Sequence, residues 1–336
     1  MSYKQIQVKL PEDVKNLISK KNILVTGGTG MIGREIVRML LDCGANVTSV
    51  SLDELTLDER AKYIIGDLTD FAFCKNITKD KDMVFHVAGI KGSIVVTKEK
   101  PASFFVPLLM MNTNMLEASL QNNVEKVLYT SSIGAYPPAE IFNESDSSFD
   151  KPPMDMYPGW AKRMAELQIN AYQQQFNKNN FSIVRPSNIY GPGDNFDENN
   201  AMVIPSLITR ILRGDNPVSI WGDGTAERDF LHATDAARGC ILACVRGTDG
   251  KAINLGCGYG ISIKNVIESL QKIKAFKSFY DLSKPSGFPK RIMNMDLAKK
   301  TFGFEPEISI DQGLKDTIDW YQENSDQYKK RKNYFI

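Results

Sequence analysis

Residues 156–162 read MYPGWAK and put a phenol, Tyr157, and an ammonium, Lys162, into one short stretch. A tyrosine hydroxyl has an ordinary pKa of about 10, so it exchanges protons near neutrality only where a neighbouring positive charge stabilises the phenolate. A spacing of four, one helical turn, stacks two such groups on one face. Here the spacing is five, and the residue four positions before Lys162 is Pro158. Proline has no N–H and a fixed φ, which suits the first turn of a helix. The expectation is therefore a helix that starts at Pro158, with Tyr157 just outside it.

A second constellation lies in ILVTGGTGMIG, where Gly27, Gly30 and Gly33 follow an apolar run and precede the amphipathic REIVRMLLDCG. Glycines in that order permit a tight turn, close approach of backbone to a pyrophosphate, and close packing of helix on strand. The first helical N–H groups, including those of Met31 and Ile32, then face the phosphates. Such a site takes a dinucleotide. The ribose selector is expected at the tip of the next strand, in VTSVSLDELTLDER, where Ser51 occupies the tip and Asp53 lies two residues beyond. An acid there favours NAD over NADP, and the nearest arginine, Arg60, is too distant to cradle a 2′-phosphate.

The elements that must position these groups are legible as short apolar runs starting at 22, 46, 62, 82, 125 and 181, alternating with helical patterns. That alternation implies an α/β fold, a Rossmann-type doubly wound parallel sheet with right-handed crossovers. Residues 104–122 and 160–176 read as long covering helices. After about Gly191 the texture turns to loop signals and shorter helices near 201–213, 234–246, 261–273 and 309–323. Residues 1–190 are thus expected to form mainly the dinucleotide-binding domain, with 1–20 as a lead-in bearing a short helix. Residues 191–336 are expected to form mainly a smaller substrate-binding cap, with KAINLGCG at 251 returning a strand to the main sheet.

Bulk composition excludes several classes. The 336 residues carry 41 basic and 40 acidic side chains, so no cationic excess is available for nucleic acid. The run KKRK at 329–332 reads as a solvated tail. Five scattered cysteines suit reduced core thiols, and His86 and His232 complete no zinc spacing, so no metal is expected. No stretch approaches the roughly 20 apolar residues of a membrane span, and the start does not read as a signal peptide. A cytoplasmic protein with no membrane partner is expected.

With TGGTGMIG followed by GDL at 66, HVAG at 86, YTSSIGAYP at 129, RPSNIYGPGDNF at 185 and RDFLH at 228, the chain resembles the extended short-chain dehydrogenase/reductases. More narrowly it is similar to the nucleotide-sugar epimerases, dehydratases and reductases. The resemblance implies that Asp67 and Leu68 border the adenine, that Ala88 and Gly89 line the cofactor, and that Lys162 holds the nicotinamide ribose. It also implies that Ser132 hydrogen-bonds the reacting sugar hydroxyl. Asn188 and Arg228 then hold the sugar-nucleotide diphosphate, with Val203 and Trp221 completing the substrate set. A homodimer or homotetramer built on the two long helices follows from the same analogy.

The stretches from 188 and from 284 look most like the GDP-fucose synthase group, which tilts the nucleotide toward GDP. Met202 and Gly134 stand where that group carries its epimerising histidine and cysteine, and neither can exchange a carbon-bound proton. Ile133 and Gly134 stand where the 4,6-dehydratases carry an acid pair. Hydride chemistry remains, and the resemblance implies that it acts at C4 of a GDP-hexose or GDP-heptose bound for surface polysaccharide, with C4 epimerisation as the alternative. Three readings of the proton step stay open: Tyr157 swings back over a shifted first turn; Asp155, Tyr136 or water held by Ser132 moves the proton; or the protein binds NAD and nucleotide sugar without turnover.

Overall fold

In the run Asn22–Thr26, alternate side chains leave the backbone on opposite sides, and both sides are buried. Ile23 and Val25 enter one apolar cluster, with the helices Met31–Asp42 and Ala233–Arg246. Leu24 enters another, with the helices Pro101–Gln121 and Met156–Phe176. The same split recurs at Met83, Val84 and Phe85, and at Val127, Leu128 and Tyr129. This is what near-continuous apolar runs achieve when helices cover both faces. The computed structural model describes residues 3–328 apart from 91, 93, 147 and 148, so the run at 329–332 lies outside the described residues.

Seven strands form the central sheet: β1 (Asn22–Thr26), β2 (Asn46–Ser51), β3 (Lys62–Ile65), β4 (Met83–His86), β5 (Lys126–Thr130), β6 (Phe181–Pro186) and β7 (Ala252–Leu255). Their order is β7-β6-β5-β4-β1-β2-β3, and every pairing is parallel. The chain winds outward from β1 through β2 to β3, then crosses to β4 on the other side of β1. Ligands of such sheets bind at the carboxyl ends of the strands, at the point where the winding reverses. β7 is the late run at 252–255, returned to the sheet edge beside β6 as its apolar pattern implies.

The remaining strands are short. A four-stranded sheet runs Ile261–Ser262, Glu227–Arg228, Lys290–Met293, Ile141–Phe142, while Asn188–Tyr190 pairs with Phe230–His232 and Val218–Trp221 with Ser278–Asp281. The lead-in contains one helix, Glu12–Ile18, whose Val14 and Ile18 are buried in the main core. All five cysteines are free. Among the described residues no helix is long and apolar enough to cross a membrane.

The long helix does not start at Pro158 as expected. The long helix begins at Met156, with Asp155 at its N-cap, and Tyr157 and Pro158 both lie in its first turn. The first-turn N–H groups of a helix have no intrahelical acceptor, so proline at the third position sacrifices no bond. The start is set by contacts outside the helix: Gly159 packs on the turn 133–135, where a Cβ would lie 2.5 Å from Gly134 O, and Arg163 donates to Ala135 O at 2.5 Å and to Lys151 O at 2.5 Å.

One buried ion pair ties this helix to the sheet. The Arg185 guanidinium from β6 donates to both carboxylate oxygens of Glu166, one contact measuring 2.9 Å, and the Ser131 hydroxyl donates to the same carboxylate. Arg185 also lies 4.3 Å over the Tyr136 ring, and the Tyr136 hydroxyl donates to Asn254 Oδ1 at 2.8 Å. Removing one member of such a pair leaves an uncompensated buried charge. Glu166→Ala is expected to lower unfolding free energy by about 3–5 kcal/mol, read from denaturant midpoints.

Candidate active site

The glycine loop after β1 is shaped by atoms that leave no room for side chains. Gly27 has φ +69°, and a Cβ there would sit 2.8 Å from Ala88 Cα, so the loop after β1 and the loop after β4 touch. A Cβ at Gly33 would overlap the Gly27 carbonyl oxygen, and one at Gly28 would overlap the Ser49 hydroxyl. Gly28 was not among the residues expected from sequence. Gly30 is the N-cap of the helix Met31–Asp42 and provides no side-chain cap, so the N–H groups that open this helix, at Met31 and Ile32, are offered to a ligand. These features fit a dinucleotide pyrophosphate.

Ser51 and Asp53 are both drawn to this loop. The Thr29 N–H donates to Ser51 Oγ at 3.2 Å and the Thr29 hydroxyl to Asp53 Oδ2 at 2.9 Å. Arg60 is engaged elsewhere, with Asp58 and Asp42. Asp67 is exposed and accepts the Thr69 N–H at 2.9 Å, whereas Asp70 is the residue that caps the following helix. Leu68 is buried, and its carbonyl is held by Asn114 Nδ2 at 3.1 Å.

Lys162 stands at the end of β5. Its ammonium donates to Thr130 O at 2.6 Å and lies 5.1 Å from the Tyr129 ring centre, and a Cβ at Gly89 would be 3.9 Å from Nζ. Burial pushes the ammonium down to about 8. Beside it runs a buried chain that sequence reasoning missed: Thr26 Oγ1 and His86 Nδ1 are 2.8 Å apart, and His86 Nε2 and Asn112 Oδ1 are 3.0 Å apart. Burial, then the Lys162 charge, pushes His86 down to about 3, so the ring is neutral and its hydrogen bonds hold the Thr26 hydroxyl, which also accepts the Ala88 N–H at 3.3 Å.

The structure does not bring Tyr157 to Lys162. At 3.6 residues per turn, five positions set the two side chains ~140° apart around the helix. Tyr157 is 41 % exposed and meets the Phe105 ring edge-on, with centroids 6.2 Å apart. Ser132 caps the turn Ile133–Ala135, its Oγ accepting the Gly134 N–H at 3.0 Å. Asp155 faces this turn: a Cβ at Gly134 would overlap Asp155 Oδ2 and lie 2.9 Å from its Cγ. Burial raises the Asp155 carboxyl, opposed by the charge of Arg291.

Arg228 and Arg291 are register neighbours on adjacent parallel strands. Among the described residues neither forms a salt bridge, while the charge of the Asp155 carboxylate acts on Arg291. Arg228 donates to the carbonyls of Glu227 and Phe288, both at 2.7 Å, while Glu227 pairs with Lys290 and the buried Asp229 accepts the N–H groups of Cys257 and Gly258. Burial, then the Arg291 charge, brings Arg228 down to about 10. Asn188 Nδ2 donates to Asp229 O at 3.1 Å, which sets it beside Arg228. Trp221 is 59 % exposed with Lys284 Nζ 5.8 Å from its ring centre, and Gly222 abuts Ser286, so residues 284–288 run from Trp221 to Arg228. Val203 is exposed at the start of the helix Val203–Arg213.

The sequence model of the NAD dependent epimerase/dehydratase family matches residues 23–256. The chain belongs to this family. Members of the NAD dependent epimerase/dehydratase family similar to it include the GDP-L-fucose synthase of Escherichia coli K12, 29% identical over 93% of this chain and 100% of that one. The GDP-L-colitose synthase of Yersinia pseudotuberculosis is 28% identical over 90% of this chain and 99% of that one. A UDP-glucose 4-epimerase from Thermotoga maritima, solved with UDP-glucose, superposes with a TM-score of 0.80 at 26% identity, covering 90% of this chain and 99% of that one. The chain is an enzyme of this family, in which nucleotide sugars are modified with NAD.

A lysine whose folded-state pKa lies below its ordinary 10.5 binds fewer protons folded than unfolded, so its contribution to stability rises with pH from about 8 to about 10.5. The difference in denaturation midpoint between wild type and Lys162→Met is expected to grow in favour of wild type across that interval. A pH-independent difference would contradict the burial of the ammonium.

Proposed function

We propose that this chain is an NAD-dependent oxidoreductase acting at C4 of a nucleotide-linked hexose or heptose, with GDP as the nucleotide. The observation that carries the reading is the arginine pair, Arg228 and Arg291, half-buried side by side and, among the described residues, in no salt bridge, with the Asp155 carboxylate acting on Arg291 through its charge alone. Two desolvated guanidinium groups held next to one another repel, and a diphosphate relieves that repulsion with bidentate bonds. Asn188 adds an amide donor beside them, and Trp221 offers an aromatic face for the base.

On the cofactor side, Gly27, Gly30, Gly33, Met31 and Ile32 hold the pyrophosphate, Asp67 and Leu68 border the adenine, and Ala88 and Gly89 line the nicotinamide end beside Lys162. Asp53, placed by Thr29, accepts from the adenosine ribose and disfavours a 2′-phosphate, so NAD is preferred over NADP. When bound, NAD supplies the acceptor or donor of hydride. Ser132 accepts the Gly134 N–H and so keeps its own proton to donate to the reacting sugar oxygen. Lys162 orients the ribose and lends positive charge to the site.

The product belongs to surface-polysaccharide precursor synthesis, a reading supported by the GDP-sugar relatives. The exposed Val106, Met110 and Leu167 on the helices Pro101–Gln121 and Met156–Phe176 support a homodimer, or a tetramer built from it, which sedimentation velocity checks. A cytoplasmic setting accords with five free thiols.

The test mixes the purified protein and NAD or NADH with GDP-, UDP- and dTDP-hexoses and their 4-keto forms. Change of the NADH absorbance band with one GDP-linked sugar is the expected result. Inverted configuration without a net band would replace the reading by C4 epimerisation, and silence across the panel would reject turnover. Arg291→Ala is expected to weaken GDP binding roughly 10- to 100-fold, as loss of a charged hydrogen-bond donor implies, while NAD affinity measured by calorimetry stays the same.

A further inference from the structure

Asp155 occupies the N-cap of the helix that carries Lys162, yet its carboxylate makes no capping bond. An aspartate at that position ordinarily accepts a first-turn N–H. Here the side chain is directed instead against the turn 133–135, into the volume that a side chain at residue 134 would fill. Gly134 is therefore required by Asp155. The same turn presents Ser132, whose hydroxyl is bonded to the Gly134 N–H, so the carboxyl and the hydroxyl flank one peptide.

Helix geometry strengthens the placement. Positions 155, 159 and 162 fall on one face, at spacings of four and three. Gly159, between Asp155 and Lys162, has no side chain, and a Cβ there would lie 2.5 Å from Gly134 O and 2.6 Å from Pro153 Cβ. The helix thus packs directly on the turn, with its carboxylate at one end of the contact and its ammonium one stretch further along. Pro158, one turn before Lys162, has no group that could carry a proton, and Tyr157 is turned to Phe105.

We propose that Asp155 is the catalytic proton carrier of this enzyme, taking the place that the spacing denies to Tyr157. The inference rests on the oxidoreductase reading above. In the oxidising direction the sugar O–H bond breaks, its proton goes to Asp155 Oδ2, and the electron pair left on oxygen forms the carbonyl. The hydrogen on carbon departs with its electron pair to the nicotinamide, and the carboxylic acid then releases its proton to water. Reduction runs the same atoms in reverse. Arg291, from the neighbouring strand Lys290–Met293, is the charged group that acts on Asp155, and Gly134 and Gly159 bring no charge. Burial shifts the carboxyl upward against the opposing charge of Arg291, the direction that suits a group alternating between base and acid.

The test has two arms. In the protein without ligands, the carboxyl carbon resonance of 13C-labelled aspartate that is lost in Asp155→Asn is expected to titrate above the ordinary carboxylate range. In single turnover with the panel sugar giving the largest NADH signal, Asp155→Asn is expected to slow hydride transfer by about 100-fold or more. It is expected to remove the fall of the oxidation rate at low pH while leaving NAD and GDP affinities unchanged. Titration in the ordinary range overturns the proposal, as does a full rate in Asp155→Asn or a loss of rate confined to Tyr157→Phe. Wild-type silence with every panel sugar overturns the oxidoreductase reading and the proposal together, whereas the other three outcomes overturn only Asp155.

Discussion

The buried carboxylate of Glu166 is the point on which the site turns. It receives Arg185 from β6 and Ser131 from the end of β5, so one helix is pinned to two adjacent strands at their carboxyl ends. The desolvation of both charges makes this geometry narrow, since an incompletely paired ion in the interior is costly. Glu166 lies one turn beyond Lys162, which lies two turns beyond Asp155. Fixing Glu166 against the sheet fixes the whole stripe, and with it which side chains reach the reaction edge.

From that anchor the remaining parts fall into register. Arg185 stacks on Tyr136, whose hydroxyl reaches Asn254, and Asn254 Nδ2 donates to the carbonyls of Phe142 and Asn294. The strand ending near Asn294 is the one bearing Arg291. A continuous polar network thus links the helix that carries Lys162 to the strand that carries half of the arginine pair. Being almost fully hydrogen-bonded, such a network specifies one arrangement rather than adding indiscriminate attraction.

Much of the sheet was legible because its signal is local. Six apolar runs and the late run at 252–255 each became a strand of the main sheet, since a strand covered on both faces must be apolar along its length. The glycine loop was legible for a similar reason: strand, turn and helix follow one another within a dozen residues. What escaped was set by distant partners. Arg291 gave no sign of its place beside Arg228, because that depends on parallel pairing between strands far apart in the chain. Thr26, His86 and Asn112 come from two strands and a helix, and only the fold joins them.

The stretch MYPGWAK shows the division most clearly. By itself the sequence determined that Tyr157 and Lys162 are five apart and that proline stands one turn before the lysine, which excludes the one-turn stacking of phenol on ammonium in any regular helix. It determined equally that a tight glycine turn follows β1, through glycines no other residue replaces at positive φ or in close contact. Only the tertiary structure decided where the helix begins and which way Asp155 turns. A helix start is marginal in local energy, and here the packing of Gly159 on the turn 133–135 and the hold of Arg163 on Ala135 and Lys151 select it.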